Sequence, residues 1–86
     1  MFEVLRDVSN SDHKRTCVRL SNGRIYCIDT ADTFDYGPET MVFNCDTITG
    51  EVEYVNELYV AHYQSMEDAF DGHEWAVENI ELIVKR

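Results

Sequence analysis

The side chains in this sequence with the greatest capacity for chemistry are three cysteines and three histidines: Cys17, Cys27, Cys45, His13, His62 and His73. Thiolates and imidazoles can form a tetrahedral metal site, but such sites usually carry a short Cys-x-x-Cys or His-x3-His spacing, which this sequence lacks. One alternative is that Cys45, His62 and His73 meet where a strand reaches a helix. The other, which we favour, is that His73 is a buried structural histidine bonded to a strand carbonyl or a tyrosine hydroxyl. We therefore predict no metal site and no cofactor.

The sequence also lacks the other signatures of catalysis. Its four glycines are isolated, so no phosphate-binding glycine loop is present. There is no nucleophile elbow, and no pair of histidines has the spacing of a zinc protease. We therefore predict that the protein is not an enzyme.

The charge of the chain points to protein partners. Asp and Glu number 17 against 7 Lys and Arg, and the net charge is -10. Direct binding of nucleic acid requires a basic surface, so the composition argues against it. A chain this acidic suits a partner with a basic surface, although the charge could also serve solubility alone.

The C-terminal segment carries the most regular pattern in the sequence. From Ser65 to about Val84, apolar residues recur on one side of a helix. Ser65 is placed as an N-cap, and Lys85 and Arg86 add positive charge at the other end, where the helix dipole favours it. Carboxylates spaced three or four residues apart form one acidic stripe, and they are Glu67, Asp71, Glu74, Glu78 and Glu81.

Trp75 and Leu82 lie opposite the apolar face of the predicted helix. Two interpretations remain open for them. They are either scattered apolar residues on a solvated surface, or part of an interface, where tryptophan is enriched.

A second acidic segment, residues 29–39, is predicted to be a flexible irregular loop. Its carboxylates include Asp32 and Asp35. An EF-hand calcium loop places ligands at alternate positions and closes with Glu, and the spacing here does not match it. We therefore include Asp32 and Asp35 among the acidic partner-binding residues rather than among metal ligands.

The remaining segments predict strands. Residues 2–8 form a short first strand, and residues 9–14 form a loop. Ser21-Asn22-Gly23 turns a hairpin between residues 16–20 and 24–30, because Asn-Gly between two strand-like runs is a strong hairpin signal. Residues 40–45 and 51–55 form a second hairpin, and residues 58–63 continue as a strand after a bulge. The prediction is one α+β domain spanning residues 1–86, an antiparallel sheet of four or five strands covered on one face by a single C-terminal helix.

The expected compartment is the cytoplasm. The N-terminal residues do not resemble a signal peptide, and no stretch approaches the roughly 20 apolar residues of a membrane span. Three cysteines, an odd number, are predicted to be reduced thiols.

A resemblance adds a biological setting. It rests on ETMVF at 39–43, GEV at 50–52, Glu57-Leu58, Tyr63, Ala69 and Gly72-His73. This pattern is similar to that of small uncharacterised proteins encoded by phages, prophages and plasmids of Gram-positive bacteria. The resemblance implies an accessory protein of a mobile element, a setting in which small acidic proteins often inhibit host systems.

Together these observations favour a non-enzymatic binding protein that occupies a basic surface of a host nucleic-acid-binding protein, such as a defence nuclease. The alternative is a structural or regulatory module that pairs with itself, as a homodimer, or with another phage protein through a sheet edge and Trp75.

Overall fold

The computed structural model describes residues 1–85 and shows five strands followed by two helical segments. The strands are β1 (Phe2–Asn10), β2 (His13–Leu20), β3 (Ile25–Thr33), β4 (Gly37–Cys45) and β5 (Val52–His62), and the helices are α1 (Met66–Glu78) and α2 (Ile80–Val84). Every neighbouring pair of strands is antiparallel, in the order β1-β2-β3-β4-β5. The predicted α+β class is confirmed, with five strands in the sheet.

Both predicted hairpins are present, and local chemistry explains their turns. In the β2–β3 turn, Gly23 adopts a φ of 88°, which a residue with a Cβ rarely does. In the β4–β5 turn, the Asp46 carboxylate accepts hydrogen bonds from the backbone N–H groups of Ile48 (2.8 Å) and Thr49 (3.0 Å). These backbone hydrogen bonds lower the pKa of Asp46.

The two predicted loops are wrong. Strand β1 extends to Asn10 and β2 begins at His13, so only residues 11–12 turn the chain. Likewise, β3 continues to Thr33 and β4 begins at Gly37, leaving a turn of residues 34–36 where a long acidic loop was predicted. Asp29, which indicated a loop, lies in a paired strand and binds His13 and Arg15 of β2 across the sheet.

The helices pack on residues of the three central strands. One core cluster joins Val18 and Leu20 of β2, Tyr26 and Ile28 of β3 and Val42 of β4 to the helical residues Ala76, Val77, Ile80 and Ile83. Alternation along the strands sends the intervening side chains, such as Cys27 and Phe43, to the opposite face of the sheet.

The predicted single helix is interrupted at Asn79. Ser65 caps α1 as predicted, with its hydroxyl accepting a hydrogen bond from the Asp68 N–H at 3.1 Å. Asn79 adopts φ -109° and ψ 21°, outside helical geometry, and its side-chain amide donates to the Trp75 carbonyl at 2.8 Å. Asn competes for backbone groups in this way, and the chain continues after Asn79 as α2. Arg86, predicted to add positive charge at the helix end, lies outside the described residues.

Strand β5 bends as it pairs with β4. The register changes between Val42 and Phe43, and again between Phe43 and Cys45, in agreement with the predicted bulge. Next to these irregularities, the Tyr54 ring lies against that of Phe43, with ring centroids 5.1 Å apart. Within residues 1–85, no helix has the length and apolar character needed to cross a membrane.

Candidate functional site

His73, one of the candidate metal ligands, is buried between the helix and the sheet. Its Nε2 atom lies 2.8 Å from the Thr16 hydroxyl, and its Nδ1 atom lies 2.7 Å from the Thr30 hydroxyl. The residue is therefore a bonded core histidine, although its partners are threonines rather than the predicted carbonyl or tyrosine. Burial lowers its pKa to about 4, and the nearby positive charge of Lys14 acts in the same direction.

The predicted alternative in which Cys45, His62 and His73 meet is wrong. His62 pairs with Glu39 near the start of β4, and Cys45 pairs with Val52 at the end of the same strand. The Cys45 thiol donates to the Gly50 carbonyl at 3.1 Å. No group of three or more His, Cys, Asp and Glu side chains in residues 1–85 is arranged to hold a metal ion.

All three cysteines are free, as predicted. Cys17 and Cys27 are direct register partners on β2 and β3. Cys27 is fully buried, and burial followed by the neighbouring Cys17 raises the pKa of its thiol. A buried thiol with a raised pKa is a poor nucleophile.

The predicted acidic stripe is divided by the structure. Glu67, Asp71, Glu74 and Glu78 are exposed on α1, whereas Glu81 is half-buried on α2. Glu74 forms an ion pair with Lys14, and Glu81 forms one with the N-terminal ammonium of Met1. That ammonium group lowers the pKa of Glu81.

Trp75 and Leu82 are exposed, with 46% and 56% of their surfaces accessible. The Trp75 ring lies 6.1 Å from that of Tyr59 on β5, tilted by 32°. Trp75 is therefore supported from one side by the sheet and open on the other.

Asp32 and Asp35 lie at the β3–β4 turn and are exposed. This turn lies at the same end of the molecule as the start of α1, because the Tyr63 N–H donates to the Pro38 carbonyl and the Thr40 hydroxyl donates to the Ala69 carbonyl. The β3–β4 turn therefore lies near the first residues of the acidic stripe, whereas Glu81 lies beside Met1.

The sheet carries a second candidate site that the sequence analysis missed, on the face away from the core cluster. Its first half is built around Asp29 of β3, whose Oδ1 lies 2.6 Å from the His13 Nε2 and whose Oδ2 accepts from Arg15 at 2.6 Å. The guanidinium of Arg15 also lies 5.7 Å from the centre of the Tyr54 ring. A carboxylate and an aromatic ring thus hold an arginine belonging to the chain itself.

The second half of this face is built around Glu39 of β4. Glu39 is only 5% exposed, and its Oε2 lies 3.2 Å from the Nε2 of His62, a side chain that is half exposed. The His62 ring stacks on Tyr36, with centroids 5.4 Å apart and planes 20° apart.

A groove runs between the two halves. It comprises adjoining cavities of about 470 Å³ and 150 Å³ that share four lining residues, Glu39, Met41, Phe43 and Tyr54. The larger cavity is also lined by Tyr36, Glu57, Val60 and His62. We call the two cavities together the sheet groove.

One sequence signal could have indicated this groove. Residues 29, 31 and 33 of β3 and 39, 41 and 43 of β4 alternate in each strand, so they share one face. This alternation predicts a shared face only if both segments are strands, whereas the sequence analysis predicts a loop over residues 29–39.

Comparisons of this chain with protein-family models, curated proteins and solved structures gave no significant match.

Proposed function

We propose that this protein is a non-enzymatic inhibitor that acts in the cytoplasm of a bacterial host by occupying a basic surface of a nucleic-acid-binding protein. The resemblance to proteins of mobile elements suggests the setting. The acidic face of α1 is the surface that would make the contact.

The observation that carries this proposal is a set of exposed carboxylates without cationic partners. Glu67, Asp71 and Glu78 are exposed on α1, and no ion pair involves them within residues 1–85. Glu74 lies between Asp71 and Glu78 but shares its charge with Lys14. The negative charge of this helix face is therefore largely available to a partner.

The spacing of these carboxylates supports a phosphate-like role. Residues three or four apart on a helix are separated by about 4.5–6 Å along the axis at ~1.5 Å per residue. Phosphates of one DNA strand advance by about 3.4 Å per nucleotide along the duplex axis. The two rows of charge have the same order of spacing, so a groove that binds a phosphate backbone could also bind α1.

The test begins with the purified protein as bait in an extract of a Gram-positive host, followed by identification and purification of the captured protein. Binding is then measured as a function of salt and in competition with duplex DNA. We expect a nucleic-acid-binding partner, weaker binding as salt increases, and displacement by DNA. A partner that binds DNA and this protein simultaneously would refute the proposal.

A matched pair of variants assigns the effect to α1. The helix variant Asp71→Asn/Glu78→Gln removes two negative charges and leaves Glu67, whose charge in the first turn stabilises the helix. The control variant Glu51→Gln/Glu53→Gln removes two exposed charges around the start of β5. We expect the helix variant to associate more slowly through lost electrostatic steering, and the control to bind like the wild type. Equal losses would show that only net charge matters.

A second candidate function is favoured by the exposure of Trp75 and Leu82 and by the two outer strands. Neither β1 nor β5 has a second strand neighbour among residues 1–85. A structural module that assembles through a sheet edge and Trp75 would use these surfaces. In that case Trp75→Ala should weaken assembly by about 2 kcal/mol or more, whereas the helix variant should assemble normally. Light scattering after gel filtration would measure the self-assembly.

A further inference from the structure

We propose that the sheet groove is a binding site for an arginine side chain supplied by a protein partner. This site lies on the face opposite the core cluster, is separate from the acidic face of α1, and does not depend on the proposed function. The inference rests on the charge of the groove, its aromatic walls, and the contacts of the chain's own Arg15 with two lining residues, Asp29 and Tyr54.

The charge of the groove favours a cation. Three carboxylates, Asp29, Glu39 and Glu57, line its two cavities. No Lys or Arg of residues 1–85 belongs to the lining, although Arg15 contacts the lining residues Asp29 and Tyr54. Both oxygens of Asp29 are already engaged, by His13 and Arg15. Glu39 differs because its only polar side-chain partner in the described part of the chain is His62, through one oxygen. A nearly buried carboxylate with an available oxygen therefore lies in the wall of an open cavity.

The aromatic walls favour a planar cation. Tyr36 stacks on His62, which pairs with the Glu39 carboxylate, and Phe43 and Tyr54 also line the larger cavity. A guanidinium group stacks on aromatic faces and can donate two parallel hydrogen bonds to one carboxylate, whereas the ammonium of lysine is a compact charge. The larger cavity, about 470 Å³, has room for such a side chain.

The first half of the groove shows this recognition within the chain itself. Arg15 lies over the Tyr54 ring while donating to Asp29. The second half repeats the combination with Glu39 as the carboxylate and Tyr36 and His62 as the rings, but no arginine among residues 1–85 occupies it. An arginine of a partner would bind Glu39 and the rings of the second half in the way that Arg15 binds Asp29 and the Tyr54 ring in the first.

The rim of the groove favours a protein as the source of the arginine. Tyr36 and Val60, which line the larger cavity, are 68% and 39% exposed. A free guanidinium compound would leave this apolar surface in water. Apolar residues flanking an arginine in a protein segment would cover it.

The test uses defined probes and backbone amide NMR of the full chain. The probes are an acetylated and amidated Ala-Leu-Arg-Leu-Ala peptide, the same peptide with Lys or with neutral citrulline in place of Arg, and agmatine as a free guanidinium compound. We expect the Arg peptide to shift the backbone amide resonances of residues in and around the groove, namely Tyr36, Glu39, Tyr54 and His62. It should bind more tightly than the Lys peptide and more tightly than agmatine. The citrulline peptide should not bind. Agmatine binding as tightly as the Arg peptide would overturn the protein source, and equal binding of the Arg and citrulline peptides would overturn the site.

Three variants complete the test. Glu39→Gln keeps the side-chain size and should weaken the Arg peptide about tenfold or more, because it removes a charge-assisted hydrogen bond. Glu78→Gln removes one charge from α1 and should bind like the wild type. Equal weakening by these two variants would overturn the proposal, since the effect would then be general electrostatic attraction.

The third variant guards against a folding defect in Glu39→Gln. Val60→Ala shortens a side chain that lines the larger cavity and is 39% exposed, so the fold should be little affected. It should weaken the Arg peptide and leave agmatine binding unchanged. Unchanged peptide binding would show that the rim does not contact a protein segment and would overturn the assigned source. Failure of these peptide tests leaves the proposed role of α1 intact, because that role is measured with a different partner and different variants.

Discussion

The imidazole of His73 lies 2.7 Å from the hydroxyl of Thr30, so that helix and sheet share a hydrogen bond inside the core. The hydroxyl of Thr16 donates to the Asp7 carboxylate at 3.0 Å and therefore accepts from the other ring nitrogen of His73. This arrangement places a proton on Nε2, while the Thr30 hydroxyl beside Nδ1 also lies 2.7 Å from the Thr40 hydroxyl. The network fixes α1 against two strands through polar contacts rather than apolar packing alone.

The first prediction concerns the pH dependence of stability. Burial lowers the pKa of His73 from 6.5 to about 4 in the folded protein. The unfolded chain therefore binds a proton more readily, and stability is lost as pH falls from about 6.5 to about 4. The shift corresponds to roughly 3 kcal/mol, at about 1.4 kcal/mol per pKa unit. Lys14 lowers this pKa further, whereas Glu74, Asp7 and Asp29 oppose the shift.

Carboxylates also titrate in this range, so the measurement compares the wild type with His73→Gln by urea unfolding at pH 7 and pH 4. The stability advantage of the wild type should shrink by about 3 kcal/mol between the two pH values. An advantage that is the same at both would show that His73 does not titrate in this way.

The network also shows where sequence reasoning succeeds and where it fails. The Asn22-Gly23 hairpin and the Ser65 cap were predictable because their signals are local. The loop assigned to residues 29–39 was wrong because Asp29 resembles a loop residue until its cross-strand partners His13 and Arg15 are known.

The candidate sites follow the same rule. The exposed acidic face of α1 could be predicted, since its residues recur with the helical period. The ion pairs of Glu74 and Glu81 could not, because Lys14 and the N-terminal ammonium are distant in sequence. The sheet groove was missed because it depends on the register of β3, β4 and β5, and two irregularities shift the register of β5.

A second prediction concerns Gly72, which lies against the ring of Tyr63. A Cβ atom added at Gly72 would overlap the Tyr63 hydroxyl and ring. Alanine in a helix gains about 1 kcal/mol over glycine, but overpacking costs about 1–3 kcal/mol. Gly72→Ala should therefore lower the free energy of unfolding. In the Tyr63→Leu background the same change should be neutral or stabilising, and a destabilisation of equal size in both backgrounds would rule out this contact as the cause.

A third prediction concerns the thiols. Cys27 is fully buried with a raised pKa, whereas Cys17 and Cys45 are half-buried. Iodoacetamide should therefore modify Cys27 last in the folded protein, and all three thiols in urea without reductant. Mass spectrometry of the digested protein would measure the order. Protection of Cys17 and Cys27 together, reversed by reductant, would instead indicate a disulfide.

A fourth prediction compares the two sides of the helical region. Val77 belongs to the core cluster, whereas Leu82 is 56% exposed. Val77→Asp should place an unpaired carboxylate in the core and cost several kcal/mol, a large share of a typical stability of about 5–15 kcal/mol. Leu82→Asp is the matched control and should change the melting temperature little. Equal melting temperatures for the two variants would contradict the observed packing.

The last prediction concerns the stability cost of the acidic face. Asp71 is flanked by Glu67 and Glu74 at helical spacing, and Glu78 adds negative charge at the end of α1, where the helix dipole disfavours it. Asp71→Asn/Glu78→Gln should therefore raise the melting temperature at low salt, because each relieved pair contributes about 0.2–0.5 kcal/mol. The gain should diminish at about 0.15 M salt, where charges are screened beyond about 8 Å.

The control Glu51→Gln/Glu53→Gln removes the same amount of charge without relieving pairs along α1. If only the helix variant becomes more stable, the acidic face carries a local stability cost, as expected for a surface that serves binding rather than folding. An equal gain in the control would attribute the effect to the net charge of -10. Solubility alone would then be sufficient to explain the acidic helix.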